Sequence, residues 1–390
     1  MITQLPRGMT RRALLRAAGV AGAGSVAAAC ASAVAPARPP SADPQGLKAQ
    51  WEKEWADLVT AAKAEGKLVL YTMTGVGLRK GIDAFSDAFP GITVEQMSVA
   101  STSLMVPKVL QEREAGIYSF DVAQTTTGDV LRVLKPKGVW DSVRSAIFRP
   151  DVLGDQNWAG GFDGPFVDQE KKFAFAFEYE VRHAFAINTD LVADGEIKTV
   201  QDLLKPKFKG TMIFMDPRTG HNYQPMTALR LAQPDRGEQL IKQLMVDQGP
   251  TFTRDTRQVI EGLARGRYPV GLGIDTVVLK EFADQGLAKN IKQLDLPEVD
   301  FVYGNGVHLF NRAPHPNAAK LFINWLLSKE GQTIWSRNTG SNSRRTDVPP
   351  VNHEAVPAPG KKYYESGKEE NFDEVFKSQK LIYDLTGIRN

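Results

Sequence analysis

The sequence is poor in cysteine. Of 390 residues only Cys30 carries a thiol, and a lone thiol closes no internal disulfide. Histidine is scarce too: His183, His221, His308, His315 and His353 stand alone, none at metal-ligand spacing. The HExxH, GxSxG, phosphate-loop and CxxC patterns are missing, which argues against the enzyme classes that depend on them. With Cys30 so near the N-terminus, a catalytic cysteine is excluded, and no metal or cofactor is expected. No apolar run approaches the ~20 residues of a membrane-spanning helix; Ala17 to Ala29 is 13 residues long and rich in Gly and Ala. No basic stripe with interleaved aromatics is found, so nucleic acid is not an expected partner.

What is present begins at the N-terminus. Thr10-Arg11-Arg12-Ala13-Leu14-Leu15-Arg16 precedes the short apolar stretch, which makes residues 1–29 a secretory signal. The adjacent arginines resemble a twin-arginine export signal, although Leu14 stands where Phe is usual; an ordinary basic n-region is the alternative. Cys30 ends Val26-Ala27-Ala28-Ala29-Cys30 and resembles a bacterial lipobox, with Ala27 where Leu is usual. Lipidation at Cys30 and cleavage near Ala31-Ser32-Ala33 both remain open. Residues 30–44 are Pro-rich and read as a spacer. The first 29 residues carry four arginines and no acid, so the rest has 44 basic and 45 acidic side chains and a net charge of −1. A periplasmic or extracytoplasmic location follows, lipid-anchored if Cys30 is modified.

From about Gln45 the chain has length for two domains. Lys67 to Tyr71 is an apolar, strand-like run. Leu78, Ile82, Phe85 and Phe89 recur at helical spacing until Pro90-Gly91. Ile92 to Val94 opens a strand, Leu104 to Glu114 reads as a helix, Phe120 to Ala123 as a strand, and Gly128 to Leu134 starts another helix. This alternation predicts α/β lobes with parallel sheets covered on both faces. Lys172 to Arg182 reads as an extended connector, Gly210 to Met215 and Tyr268 to Ile274 as buried strands, and Val259 to Arg265 as a helix. Phe301 to Phe310 reads as a strand and Ala318 to Arg337 as one long amphipathic helix.

The segments LVLYTMTG at 68–75, DAFSDAFPGITVEQ at 83–96, FDVAQTTTGDVLRVLKPKGVW at 120–140, FKGTMIFMDPRTG at 208–220, GLARGRYPVGLGID at 262–275 and FINWLLSKEGQTIWSRN at 322–338 occur in that order. In this, the region from Glu65 to Arg345 resembles the extracellular solute-binding proteins of ABC importers. The likeness is greatest to the group containing the bacterial ferric-ion-binding proteins. The resemblance implies a two-lobed periplasmic binding protein type II fold with two crossing hinge strands. Lobe 1 is expected at 45–178 plus 298–337, and lobe 2 at 179–297 plus 338–390. It also implies a monomer that catches a small-molecule ligand in the interlobe cleft and delivers it to an ABC permease in the inner membrane. A receptor presenting its ligand to a membrane sensor would share the fold.

Ligands of open α/β sheets bind beyond the carboxyl ends of the strands, where helix N-termini point N–H groups outward. Those ends are rich in hydroxyls here: Thr72 and Thr74, then Ser101 and Thr102, then Thr125 and Thr126. Helix capping accounts for one hydroxyl per loop; the run Thr125-Thr126-Thr127 exceeds it and suits an oxyanion. By the resemblance, the loop holding Arg218 and Thr219 contacts ligand. Arg218 offers a planar fork for carboxylate or phosphonate, with a salt bridge as its other role. Asp275 suits an amino group or caps the helix that follows. Tyr179 and Glu180 lie on one presumed hinge strand and Asn305 near the other, and only alternate residues of a strand face one side. The expected solute is anionic or zwitterionic.

The resemblance carries an iron question. Ferric-binding members have an adjacent tyrosine pair after the strand that reads GLGI here, a histidine after the first strand and a glutamate after the third. This chain has Asp275-Thr276-Val277-Val278, Met73-Thr74 and Gln124-Thr125 there. The fold and transport role carry over; iron does not.

Overall fold

The computed structural model describes residues 44–217 and 222–387, so the signal, Cys30, Arg218 and Thr219 lie outside the described residues. The residues from Lys48 onward form a unit of their own. In chain order its strands begin with β1 (Lys67–Met73), β2 (Thr93–Val99), β3 (Val122–Thr126), β4 (Trp140–Asp141), β5 (Phe175–Ala176), β6 (Glu178–Arg182) and β7 (Phe185–Asn188). They continue with β8 (Met212–Met215), β9 (Thr251–Thr253), β10 (Val270–Leu272), β11 (Ile291–Gln293), β12 (Phe301–Tyr303), β13 (Asn305–Phe310), β14 (Asn342–Ser343) and β15 (Tyr364–Glu365).

Lobe 1 is built on the order β2-β1-β3-β13-β4, with β5 also on β13. β1 is parallel to β2 and β3, while β13 runs antiparallel to β3. The alternation of β1 divides the apolar side chains between two faces. Leu68 and Leu70 pack with Phe85, Phe322, Trp325 and Trp335. Val69 and Tyr71 pack with Met105, Val109 and Leu131 on the other side. Both faces are covered, as a parallel sheet requires. Phe85, from the Val76–Ala88 helix, is fully buried. It stacks at 5.0–5.3 Å on Phe89, Phe322 and Trp325.

Lobe 2 is built on β11-β7-β10-β8-β9. Phe185, Met212, Phe214, Leu240 and Leu272 pack on one face, and Ala186, Ile213, Met215, Val259 and Leu263 on the other. Between the lobes β6 and β12 cross as an antiparallel pair, with Phe301 opposite Arg182 and Tyr303 opposite Glu180. β14 and β15 extend this small sheet on its two sides.

Two expectations are corrected. The helix expected over Ala318 to Arg337 is two, Pro316–Leu327 and Lys329–Thr339. Buried Ser328 stands at the break: its Oγ donates to Trp325 O at 2.7 Å and accepts from Gly331 N at 3.0 Å, which caps the second helix. The stretch 338–390 does not all belong to lobe 2. The Arg345 guanidinium lies over the Trp158 ring and donates to the carbonyls of Asp151 and Leu327, all in lobe 1, because a buried guanidinium needs those acceptors. The final helix, Phe372–Thr386, does send Ile382, Leu381 and Leu385 into the core of lobe 2.

Candidate functional site

Because β1, β2 and β3 are parallel, their carboxyl ends share one edge, and three of the hydroxyls predicted there, those of Thr102, Thr125 and Thr126, meet. Thr102 Oγ1 bonds both Thr125 Oγ1 and Thr126 Oγ1, the latter at 2.8 Å. Thr72 is buried, with Oγ1 accepting from Gln96 Nε2 at 2.8 Å and donating to Met73 O. Ser101 and Ser103 bond each other at 2.8 Å, and Thr74 is exposed. Thr102, Thr125 and Thr126 are thus engaged with one another, and Ser101 with Ser103.

The hinge carries a buried acid. Glu178, on β6, accepts from Trp335 Nε1 at 2.5 Å and from Asn305 Nδ2 at 2.7 Å. Burial pushes its carboxyl up to about 7 against those hydrogen bonds, and nearby Glu180 adds to the rise. Glu180 itself pairs with Arg182 at 3.1 Å. The Tyr179 ring lies 6.0 Å from the Arg344 guanidinium, and its phenol is raised by burial.

A cavity of about 100 Å³ lies at the meeting of lobe 1, lobe 2, the hinge and the C-terminal segment. Lobe 1 supplies Thr126, Thr127, Asp129 and Arg132; lobe 2 supplies Tyr223 and Gln224; the hinge supplies Tyr303 and Gly304. Arg132 and Asp129 pair at 2.8 Å, one helical turn apart. Gln224 is buried, and its Oε1 has no hydrogen-bond partner among the described residues. Burial pushes the Tyr303 phenol up to about 12, the neighbouring Arg182 opposing this, so that ring presents a neutral hydroxyl. The remaining wall is Ser366, Gly367, Phe372, Val375 and Phe376.

Of the predicted contacts among the described residues, Thr126 alone lines this cavity; Thr72, Thr74, Ser101, Thr102, Thr125, Tyr179, Glu180, Asp275 and Asn305 do not. Asp275 accepts Val278 N at 3.0 Å and so caps the Thr276–Asp284 helix. Sequence reasoning missed Arg132, Asp129 and Gln224. Arg132 and Asp129 stand at i,i+3 just past the third strand, a signal that was open to it. One group of His and Asp side chains among the described residues lies close enough to share an ion: His183, Asp295 and Asp300. His183 Nδ1 already bonds Asp300 at 2.7 Å, and Lys361 pairs with Asp295 at 2.5 Å.

Two three-layer α/β lobes, two crossing strands and a cavity between them define the two-lobed periplasmic binding proteins of type II. Residues 80–363 match the family model of the bacterial extracellular solute-binding proteins, and the chain belongs to that family. Solved structures similar to it include iron-bound HitA from Pseudomonas aeruginosa (TM-score 0.61, 17% identity, 82% of this chain and 99% of that one). A Bordetella ferric binding protein gives a TM-score of 0.65 at 17% identity, covering 82% and 98%. The spermidine/putrescine ABC transporter substrate-binding protein PotD from Streptococcus pneumoniae gives 0.61 at 14%, covering 82% and 99%. At such identities the likeness concerns the fold. An uncharacterized protein of Haemophilus influenzae is 30% identical over 159 residues, 38% of this chain and 44% of its own length. The chain thus spans less than half of that relative.

Proposed function

We propose that this chain is the substrate-binding component of an ABC import system, holding a small zwitterionic solute in the interlobe cleft for a membrane permease. The observation that carries this reading is the Arg132–Asp129 pair on the cavity wall. A carboxylate or other oxyanion pairs with the guanidinium and an ammonium with the carboxylate, so a bound zwitterion exchanges the internal pair for two of its own. Thr126, Thr127 and Gln224 add neutral hydrogen-bonding groups around it. Arg218, expected to close on the threonines, lies outside the described residues, and the site proposed here centres on Arg132.

A thermal-shift screen of the mature chain tests this. Hits are expected among amino acids, aminophosphonates and aminosulfonates. Arg132→Gln and Asp129→Asn should each weaken the best hit by roughly tenfold to a hundredfold, the loss of one charge-assisted hydrogen bond. Hits confined to neutral sugars would sink the reading. We further propose export through the twin-arginine route and lipidation at Cys30. Replacing Arg11 and Arg12 with Lys should strand precursor in the cytoplasm, and a mature N-terminus mapped downstream of Cys30 would rule lipidation out.

A further inference from the structure

The family match ends at residue 363, and the chain then crosses the cleft. β15 pairs with β12, Tyr364 opposite Phe301. Ser366 N donates to Val302 O at 3.0 Å on the hinge. Thr127 Oγ1 donates to Gly367 O at 3.0 Å, and Lys135 bonds Glu369 at 2.7 Å, both on lobe 1. The final helix then enters the core of lobe 2 through Ile382. This segment is anchored on three sides and contributes five residues to the cavity wall: Ser366, Gly367, Phe372, Val375 and Phe376.

The lining is mixed in chemistry. Arg132, Asp129, Thr126 and Gln224 are polar, whereas Phe372, Val375 and Phe376 are apolar. Val375 is buried against Ala228, Phe301 and Tyr364 and is thereby held in place. Phe376 is 49% exposed and lies 5.3 Å from the Arg132 guanidinium. A large apolar side chain left half in water beside a cavity gains by covering its ring with apolar solute. In the same lining Gln224 Oε1, unpartnered among the described residues and on a residue 4% exposed, asks for a donor.

We propose that residues 366–376 are the specificity wall of the ligand site, and that the solute is a small zwitterion with an aliphatic side chain seated on Phe372, Val375 and Phe376. The inference rests on the zwitterion reading of the Arg132–Asp129 pair. The ammonium of such a solute donates to Asp129 and Gln224 Oε1, its carboxylate takes Arg132, and its apolar body turns to the C-terminal wall. A cavity of about 100 Å³ suits an aliphatic amino acid better than a peptide.

Isothermal titration of the mature chain with glycine, L-valine and L-leucine tests the assignment. L-leucine should bind at least roughly tenfold more tightly than glycine, the effect of burying an aliphatic side chain. Phe376→Ser should collapse the leucine-to-glycine affinity ratio toward one, and Phe376→Leu should restore it. Phe376 is half exposed, so neither change threatens the fold, and a melting curve verifies that. Equal affinity for glycine and leucine, or a leucine preference that Phe376→Ser leaves intact, overturns the wall and leaves the zwitterion reading standing. Absence of binding by all three overturns both.

Discussion

The indole Nε1 of Trp335 donates to the buried carboxylate oxygen Oε1 of Glu178 at 2.5 Å, tying the Lys329–Thr339 helix of lobe 1 to the hinge strand β6. Glu178 is 3% exposed, and its carboxyl titrates near 7 rather than 4.5. The neutral form is therefore the one the fold favours. Stability from this group is fully present below pH ~4.5 and is lost as pH rises through about 7, a difference of about 3 kcal/mol. Asn305 Oδ1, unpartnered among the described residues, is the acceptor a protonated Glu178 would use once the amide turns over. Glu178→Gln should thus raise stability by up to about 3 kcal/mol at pH 8 and leave it little changed at pH 4. Urea unfolding at the two pH values checks this; equal effects at both would refute it.

His308 works in the opposite sense. It is fully buried on β13, its Nε2 has no partner among the described residues, and burial lowers its pKa from 6.5 to about 4. Being depressed, it contributes stability above pH 6.5 and loses it as pH falls toward 4, again about 3 kcal/mol. The slopes of Glu178 and His308 nearly cancel between pH 4.5 and 6.5. Glu178→Gln should therefore unmask a stability that rises with pH across that window, and His308→Gln one that falls. A flat profile in either variant contradicts the assignment.

Gly304 separates β12 from β13 where the hinge enters lobe 1. An added Cβ there would lie 2.0 Å from Glu178 O, a backbone atom with nowhere to move. Gly304→Ala should cost about 1–3 kcal/mol through forced separation of the crossing strands. Small-angle scattering with and without ligand should also show impaired closure. Unchanged stability would mean that the crossing strands yield to the extra methyl and that Gly304 is not required there.

Ferric citrate should leave the protein colourless. The tyrosine pair is missing after β10, and burial holds Tyr303 as a neutral phenol up to about pH 12. A saturable visible charge-transfer band at one iron per chain would show a tyrosinate-iron site and overturn the expectation.

The lobes were legible because period-2 and helical spacing leave their mark within a dozen residues. Leu68 and Leu70 against Val69 and Tyr71 show the two-faced sheet directly. The break at Ser328 was hidden, since Ala318 to Leu327 and Lys329 to Arg337 both continue a helical pattern and only a buried cap divides them. Asp275 was legible as a choice between ligand and cap, and the Val278 N–H is the partner one oxygen takes. The cavity was not legible. Thr127 meets Gly367 across 240 positions, and no local pattern marks Phe376 as the neighbour of Arg132.

The position of β13 has a consequence for how the protein comes to be folded. This strand lies between β3 and β4 in lobe 1, yet it follows every strand of the lobe 2 sheet in the chain. Until residue 310 is made, the first lobe lacks this strand, and the edge of β3 that pairs with it, Val122 to Thr126, stays open. Lobe 2, whose strands run from 185 to 293 without interruption, has all its strands while the earlier sequence still waits. Such long-range pairing slows folding and leaves sheet edges open meanwhile. The second lobe to be numbered is thus the first able to form its sheet.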